Sequence, residues 1–335
     1  MIGIPGIAAL VWINIASWFY DSSPGLGIVP GWVACELASL LAVVGLAAAA
    51  IAQGRQRRAD GWRDYAGPSP AIAVGALVGL VTGLGIPLAV VLRSAGIDRD
   101  GAMGTLLVVL LYMCSYVGLI HFLVVRPGAM SWGDIVRPAR LAPDPEDWAL
   151  STPWSALGNR GLALVGTLRS RIGRSALGDV LFGAAIMPLA LLASSLANVA
   201  LLFILGLHNT DISQPGPTAP TGIDLWITLL AVSVLVPIGE EAFFRGFATN
   251  AWGRSLGRSS AILRAGLFFA FIHVLNTTAT QPDIALRAAV FNFGARIPVA
   301  IALGWLYMRR RSIFASGALH GTYNGLIVLL ALSTT

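Results

Sequence analysis

Long apolar runs separated by short polar segments dominate the pattern of this chain. A bilayer core about 30 Å thick is crossed by about 20 helical residues, and nine runs have close to that length. They cover residues 2–20, 28–53, 70–94, 103–125, 178–206, 223–248, 260–276, 285–308 and 312–332. The first run is interrupted by Pro5, Asn14 and Ser17, so the pattern predicts eight or nine transmembrane helices.

The composition agrees with a membrane class. Of the 335 residues, 56% are hydrophobic and 11% are charged, and the mean hydropathy is +0.77. Soluble domains carry about 25% charged residues. We therefore predict an all-α polytopic membrane protein whose C-terminal helices enclose an intramembrane cavity.

The basic residues indicate how the chain is oriented. All 22 are arginine, and most of them lie in the segments 54–69, 125–176, 249–264 and 309–311. Arginine-rich loops stay on the cytoplasmic side, which predicts a multi-pass protein of the inner (cytoplasmic) membrane. The arginines lie at the ends of apolar runs and suit anionic lipid, so no nucleic-acid partner is expected.

The segment 126–176 is the longest loop and suggests a division of the chain. We predict an N-terminal part, 1–176, made of transmembrane helices and this basic cytoplasmic loop. Residues 177–335 form a C-terminal part. Within the loop, 162–174 mixes leucine and arginine like an interfacial helix, and an ordinary basic loop is the alternative.

Three charged residues interrupt the otherwise apolar stretch 225–247: Glu240, Glu241 and Arg245. Each ionised group at bilayer depth costs about 2.5–3.5 kcal/mol, so these groups should face protein or a wet cavity. Glu241 and Arg245 are four residues apart and share a helix face. Glu240 points about 100° away and is left for chemistry, unless the group merely holds helices together.

Two histidines occupy later runs at a similar depth. Counted from the cytoplasmic end at 1.5 Å per residue, Glu240, His273 and His320 lie roughly 18, 16 and 13 Å deep. Asn324 follows His320 by one turn. A carboxylate can take a proton from water, an imidazole can share it, and His or Asn donors can stabilise an oxyanion.

These residues form three motifs in order on successive runs. EExxxR begins at Glu240, FxxxH joins Phe269 to His273, and HxxxN joins His320 to Asn324. Over roughly 178–332 the chain resembles the CPBP family. This family comprises the CAAX prenyl proteases of the Ras-converting type and the bacterial Abi proteins linked to bacteriocin processing and self-immunity.

The resemblance implies an intramembrane endopeptidase with a cavity open to the cytoplasm. It implies that Glu240 is the general base that activates water and that His273 orients that water. His320 and Asn324 would form the oxyanion hole. The remaining motif residues would keep the shape of the site; they are Glu241, Arg245 and Phe269.

A metal-dependent mechanism is the alternative, since the family is often described as metalloproteases. Zinc takes three protein ligands and keeps one open position, and Glu240, His273 and His320 could supply them. Glu240 could then not also be the free base unless Glu241 took that role. The chain has no HExxH motif, and a metal-free glutamate mechanism is favoured over zinc.

Asn292 and Arg296 are a further polar pair, four residues apart in the run 285–308. They should share a helix face. Arg296 could bind a substrate carboxylate, which would suit C-terminal peptides, or the pair could be a helix-packing hydrogen bond.

The expected partners are the lipid bilayer and a peptide or membrane-protein substrate, such as a bacteriocin precursor or an exported protein. Two other classes remain open. Intramembrane Glu, His and Arg residues also occur in proton-coupled transporters, and a non-catalytic scaffold or immunity protein could retain the same fold.

Overall fold

The computed structural model describes residues 31–62, 64–138, 175–207, 221–274 and 282–333, and helices are the only regular secondary structure in these ranges. Numbered in chain order, they are α1 Gly31–Ala59, α2 Pro70–Ser94, α3 Ala102–Val125, α4 Trp132–Val136, α5 Ala176–Leu205, α6 Ile223–Leu256, α7 Arg258–Val274, α8 Pro282–Arg310 and α9 Ile313–Ser333. Three π-helical segments interrupt them, one at the end of α3 and two within α6: His121–Val125, Ala231–Leu235 and Glu241–Thr249.

Seven of the described helices are long and apolar enough to cross a membrane: α1, α2, α3, α5, α6, α8 and α9. The helix α7 has 17 residues, about 25 Å in length, and coincides with the predicted run 260–276. The run 2–20 and the interfacial stretch 162–174 lie outside the described residues. The predicted class, an all-α polytopic membrane protein, is confirmed.

The helix α5 shows why these sequences are helical. It begins at Ser175, whose hydroxyl accepts the backbone N–H of Gly178, and ends at Gly206 in a left-handed conformation with φ 59°. Large apolar side chains such as Leu196 and Phe203 cover its exposed face. A face of this kind suits hydrocarbon, where a helix is stable because it satisfies its own backbone hydrogen bonds.

The described residues form two compact units. The first contains residues up to 130 together with 221–239, and the second contains 131–138, 175–207, 240–274 and 282–333. In the first unit, α2 packs against α1 and α3, and Gly239 lies against Tyr116. The predicted division of the chain into 1–176 and 177–335 stays a prediction. Residues 131–138, which precede that boundary, pack with the second unit.

The second unit is built around α5, α8 and α9. Its core contains Phe182, Ile186, Ala190, Val299, Leu303, Leu306, Ala315 and Leu319. Gly183 allows α5 to approach α9 closely, because a Cβ atom there would overlap the carbonyl of Ala315. This packing joins α5, α8 and α9 into the core of the second unit.

A buried ion pair joins the ends of α5 and α8. Arg310 Nη2 lies 2.7 Å from Asp179 Oδ1, and both side chains are almost fully buried. Arg137, which follows α4, lies 3.2 Å from Asp179 Oδ2. The carboxylate therefore interacts with two guanidinium groups, which offsets part of the cost of burying it.

The segment Ser131–Pro138, here called the strap, lies against α6 and α8. The backbone N–H and hydroxyl of Ser131 donate to Asp134, which completes a capping box. Arg254 Nη2 donates to Asp134 Oδ1 over 2.8 Å, and Asn250 Nδ2 donates to the Asp134 carbonyl over 2.9 Å. The acid of the strap is thus bound to the end of α6.

The remaining strap contacts are also specific. Ile135 is buried against Gly246, where a larger residue would collide with its side chain. The Tyr307 hydroxyl donates to the Ile135 carbonyl over 3.3 Å. Arg311 donates twice to the Pro138 carbonyl, over 3.0 and 2.9 Å. These bonds hold the strap beside the segment of α6 that carries Arg245.

The strap predicts a pH dependence of stability. Partial burial by itself would raise the pKa of Asp134, but hydrogen bonds from Ser131 and the charge of Arg254 outweigh it and lower this pKa. Because its pKa is lower in the folded state, the Asp134 carboxylate stabilises the fold at pH values above the unfolded-state pKa of about 4. This contribution is lost as the pH falls through the folded-state pKa. We expect Asp134→Asn to lower the melting temperature at pH 7 and to reduce its fall on acidification.

The measurement is thermal unfolding of both proteins in detergent between neutral and acidic pH. If the melting temperatures of the two proteins are equal at every pH, the Asp134 carboxylate does not stabilise the fold.

Candidate active site

The charged motif lies where α6 changes its helical form. Glu240 is the last residue of the α-helical stretch Val236–Glu240, and Glu241 is the first residue of the π-helical segment Glu241–Thr249. Within that segment the Thr249 hydroxyl donates to the carbonyl five residues earlier, on Phe244, over 2.7 Å. Insertions of this kind often occur at functional sites.

Arg245 is fully buried and makes three contacts on the inner side of α6. Its Nη1 lies 3.1 Å from Glu241 Oε1, so the pair predicted from the spacing of four forms. Its Nη2 donates to the Ala300 carbonyl on α8 over 3.3 Å. Its guanidinium carbon lies 4.3 Å from the centre of the Phe269 ring on α7. One side chain therefore joins α6 to α7 and α8.

His320 on α9 lies between the two acids. Its Nδ1 is 3.0 Å from Glu241 Oε1 and its Nε2 is 3.7 Å from Glu240 Oε2. An ionised carboxylate only accepts hydrogen bonds, so Nδ1–H donates to Glu241. This bond orients the ring so that its other nitrogen faces Glu240.

His273 on α7 has its ring fixed in a similar way. A carbonyl accepts, so Nδ1–H donates to the Phe269 carbonyl over 2.8 Å, and the neutral ring keeps a lone pair on Nε2. The Phe269 ring lies 4.7 Å from the His273 ring and 5.7 Å from the His320 ring between centroids. One phenyl ring thus contacts both imidazoles.

Glu240 retains capacity to accept a hydrogen bond. Its side chain is largely buried, and its Oε2 has no hydrogen-bond partner among the described residues. Glu241 binds both Arg245 and His320 through Oε1, and its Oε2 also has no hydrogen-bond partner among the described residues. A buried oxygen without a partner is costly, and it suits a group that binds a water or a substrate during a reaction.

Three other predicted residues lie near these groups. Asn324 is half-buried on α9, one turn beyond His320. On α8, Arg296 Nη1 donates to Asn292 Oδ1 over 3.1 Å, so this pair shares a face as its spacing predicts. Arg296 is close enough to Glu240 for the two charges to interact.

The site does not fit a three-ligand zinc centre. Among the described residues, no group of three His, Cys, Asp or Glu side chains is arranged to hold a metal ion. The predicted ligands Glu240, His273 and His320 are therefore not assembled as a metal site in the described part of the chain. We therefore assign no catalytic step to a metal.

A family model described as type II CAAX prenyl endopeptidase Rce1-like matches residues 222–326. These residues form an Rce1-like domain. No curated protein and no solved structure matches the chain. The Rce1-like domain contains every residue of the three motifs, and its family is one of proteases. The chain is thus a multi-pass membrane protein that carries a domain of a peptide-hydrolysing family.

The sequence did not reveal some contacts around the Rce1-like motifs. The bond between Glu241 and His320 joins residues 79 positions apart, and no local spacing indicates it. Ser316 is fully buried on the same helix as His320, and its hydroxyl donates to the Ile313 carbonyl over 3.3 Å. Its position one turn before His320 was the available signal, since residues four apart share a helix face.

The contacts of Arg245 predict a large effect on stability. Arg245→Met leaves the Glu241 charge buried without its main partner, and removing one member of a buried pair costs about 3–5 kcal/mol. We expect the double variant Glu241→Gln/Arg245→Met to lose less than the sum of the single variants. The measurement is the free energy of unfolding in detergent.

Arg264→Met is the matched control, since Arg264 is exposed on α7 and donates only to Ser260 among the contacts described for it. An Arg245→Met protein as stable as this control would exclude a structural role for the buried pair.

Proposed function

We propose that the protein is an intramembrane endopeptidase that hydrolyses peptide bonds of membrane-associated proteins or peptides. The observation that carries the proposal is the pairing of Glu240 with His320, in which a buried carboxylate oxygen faces an oriented imidazole nitrogen at 3.7 Å. The protease family of the matched domain supports it independently.

In the proposed reaction, Glu240 is the general base. It takes a proton from a water molecule, whose oxygen attacks the carbonyl carbon of the peptide bond. His273 orients this water, because the lone pair of its Nε2 can accept the second proton in a hydrogen bond. The proton on Glu240 then passes to the leaving amine, which restores the carboxylate.

The oxyanion formed in this step needs donors. We propose that the Nε2–H of His320 in its imidazolium form and the side-chain amide of Asn324 supply them, and removing one such donor typically costs about 10²–10³ in rate. Glu241, Arg245 and Phe269 position these groups without contacting the substrate. Glu241 does so most directly, because it accepts the Nδ1–H of His320.

The orientation of the site is part of the proposal. Three arginine-rich segments meet at one end of the second unit, where the strap residues Asp134, Arg137 and Pro138 bind Arg254, Asp179 and Arg311. By the positive-inside rule this end is cytoplasmic, so the cavity opens to the cytoplasm of a cell with an inner membrane. The substrate class we propose is a bacteriocin precursor, an exported protein or another protein terminus that undergoes maturation.

The Asn292–Arg296 pair supports a more specific role. Arg296 carries a charge close to Glu240, and its bond to Asn292 holds the guanidinium in position. We propose that Arg296 binds the terminal carboxylate of a C-terminal peptide substrate, because a guanidinium matches a carboxylate in shape and charge.

The catalytic assignment predicts the behaviour of two variants. Glu240→Gln and His273→Ala should lose most cleavage, and loss of a general base typically costs about 10²–10⁴ in rate. The measurement compares membrane-anchored and C-terminal peptides from cells that express each variant or the wild type. Asp224→Asn is the control, because this carboxylate is exposed on the same helix.

Equal peptide profiles for Glu240→Gln and wild type would contradict the assignment and favour a scaffold. Flux driven by a pH gradient without cleavage would favour a transporter.

A second prediction concerns metal dependence. Because no three-ligand group is formed by the described residues, we expect cleavage of a peptide substrate by the purified protein to survive prolonged treatment with EDTA. The rate before and after chelation is the measurement. A loss of activity that only Zn²⁺ restores would contradict the metal-free mechanism.

A further inference from the structure

The contact face of α5 changes from apolar to polar partway along the helix. Phe182, Ile186 and Ala190 are spaced four residues apart and lie in the core formed with α8 and α9. The next two members of this series are Ser194 and Asn198. Both lie outside the matched residues 222–326.

Ser194 and Asn198 carry polar atoms without hydrogen-bond partners. Ser194 is 1% exposed, and within the described part of the chain neither its Oγ nor Asn198 Oδ1 has a partner. A serine in an apolar helix can donate to the carbonyl four residues earlier, and Ser115 and Ser255 of this protein do so over 2.8 and 2.9 Å. The hydroxyl of Ser194 does not, although a buried polar group without a partner is costly. Among the described residues, four further hydroxyls have no partner; they belong to Ser39, Thr228, Ser233 and Ser312.

The register of α5 against α8 shows the depth at which these atoms lie. The helices run antiparallel, with Asp179 bound to Arg310 at one end and Arg287 Nη1 donating to the Leu205 carbonyl at the other. Since both helices rise by 1.5 Å per residue, Ser194 lies at the level of Arg296. Asn198 lies about one turn further along, near the level of Asn292.

The same layer of α8 is polar and reaches the catalytic acid. Arg296 donates to Asn292 and interacts electrostatically with Glu240 and Tyr323. Pro298 has no N–H, so the carbonyl of Gly294 lacks its usual helical donor. Donors and acceptors therefore occur on both helices at one depth, adjoining the site.

We propose that Ser194 and Asn198, at the depth of Arg296, form a subsite that binds the main chain of the peptide substrate next to the bond that is cleaved. A peptide that enters the apolar interior must have its amide groups satisfied by protein. The Ser194 hydroxyl donates to a substrate carbonyl and Asn198 Oδ1 accepts a substrate N–H. The inference rests on the proposed endopeptidase function, and α5 then contributes to substrate binding as well as to packing.

Binding is tested in the purified Glu240→Gln protein, which should not turn the probe over. The probe is a fluorescein-labelled, eight-residue apolar peptide with a free C-terminus, and anisotropy in detergent reports its Kd. Adding Ser194→Ala or Asn198→Leu should raise the Kd about fivefold each, the effect of one lost hydrogen bond. Ser195→Ala, a neighbouring exposed serine on α5, should leave the Kd unchanged.

Turnover gives an independent readout. With Glu240 intact, the Ser194 and Asn198 variants should raise KM by a similar factor and change kcat by less than about twofold, because uniform binding is lost. Neither variant should lower the melting temperature, since each removes a buried atom that has no partner in the described fold. Arg296→Gln should raise KM for the peptide acid more than for its C-terminal amide.

Two results would overturn the subsite: unchanged Kd and KM with a lowered melting temperature, which indicates helix packing alone, or no saturable binding to Glu240→Gln. Failure of the proposed catalysis looks different. If Glu240→Gln cleaves at the wild-type rate while Ser194→Ala still raises KM, the catalytic assignment is wrong and the subsite stands.

Discussion

The buried ion pair between Arg245 and Glu241 is the constraint on which the candidate site depends. A guanidinium in an apolar interior is tolerated only where its charge and donors are matched. Arg245 meets this condition with a carboxylate on α6, a carbonyl on α8 and an aromatic ring on α7. Glu241 extends the network to His320 on α9. Four helices are thereby joined through this ion pair, and it fixes the position of His320 in the candidate site.

The change of helical form within α6 explains how two adjacent acids differ in role. In a regular helix Glu240 and Glu241 would leave the axis about 100° apart. The π-helical segment begins between them, and both carboxylates then reach the same imidazole, at its two nitrogens. Glu241 binds Arg245 and His320 through one oxygen, whereas Glu240 faces only His320 among these groups. Ile135 of the strap packs against Gly246 inside this segment, which supports its geometry from the outside.

The part of the chain that matches a known family is smaller than the part that builds the site. The match covers 222–326, yet α5 packs closely on both α8 and α9, and the strap binds α6 and α8. The residues assigned to the proposed reaction thus lie within the match, whereas part of the packing around them comes from segments outside it.

The sequence by itself determined the helices and the chemical types at the site. Apolar runs such as 70–94 became helices of nearly the predicted length, because only a helix satisfies its own backbone in hydrocarbon. The pairing of Glu241 with Arg245 also followed from local geometry, because residues four apart are neighbours on a helix surface. Tertiary structure alone decided that His320 binds Glu241 and that Ser194 lies buried with no partner for its hydroxyl among the described residues. Those facts depend on how helices rotate and approach one another, and the pattern of apolar residues along a chain specifies neither.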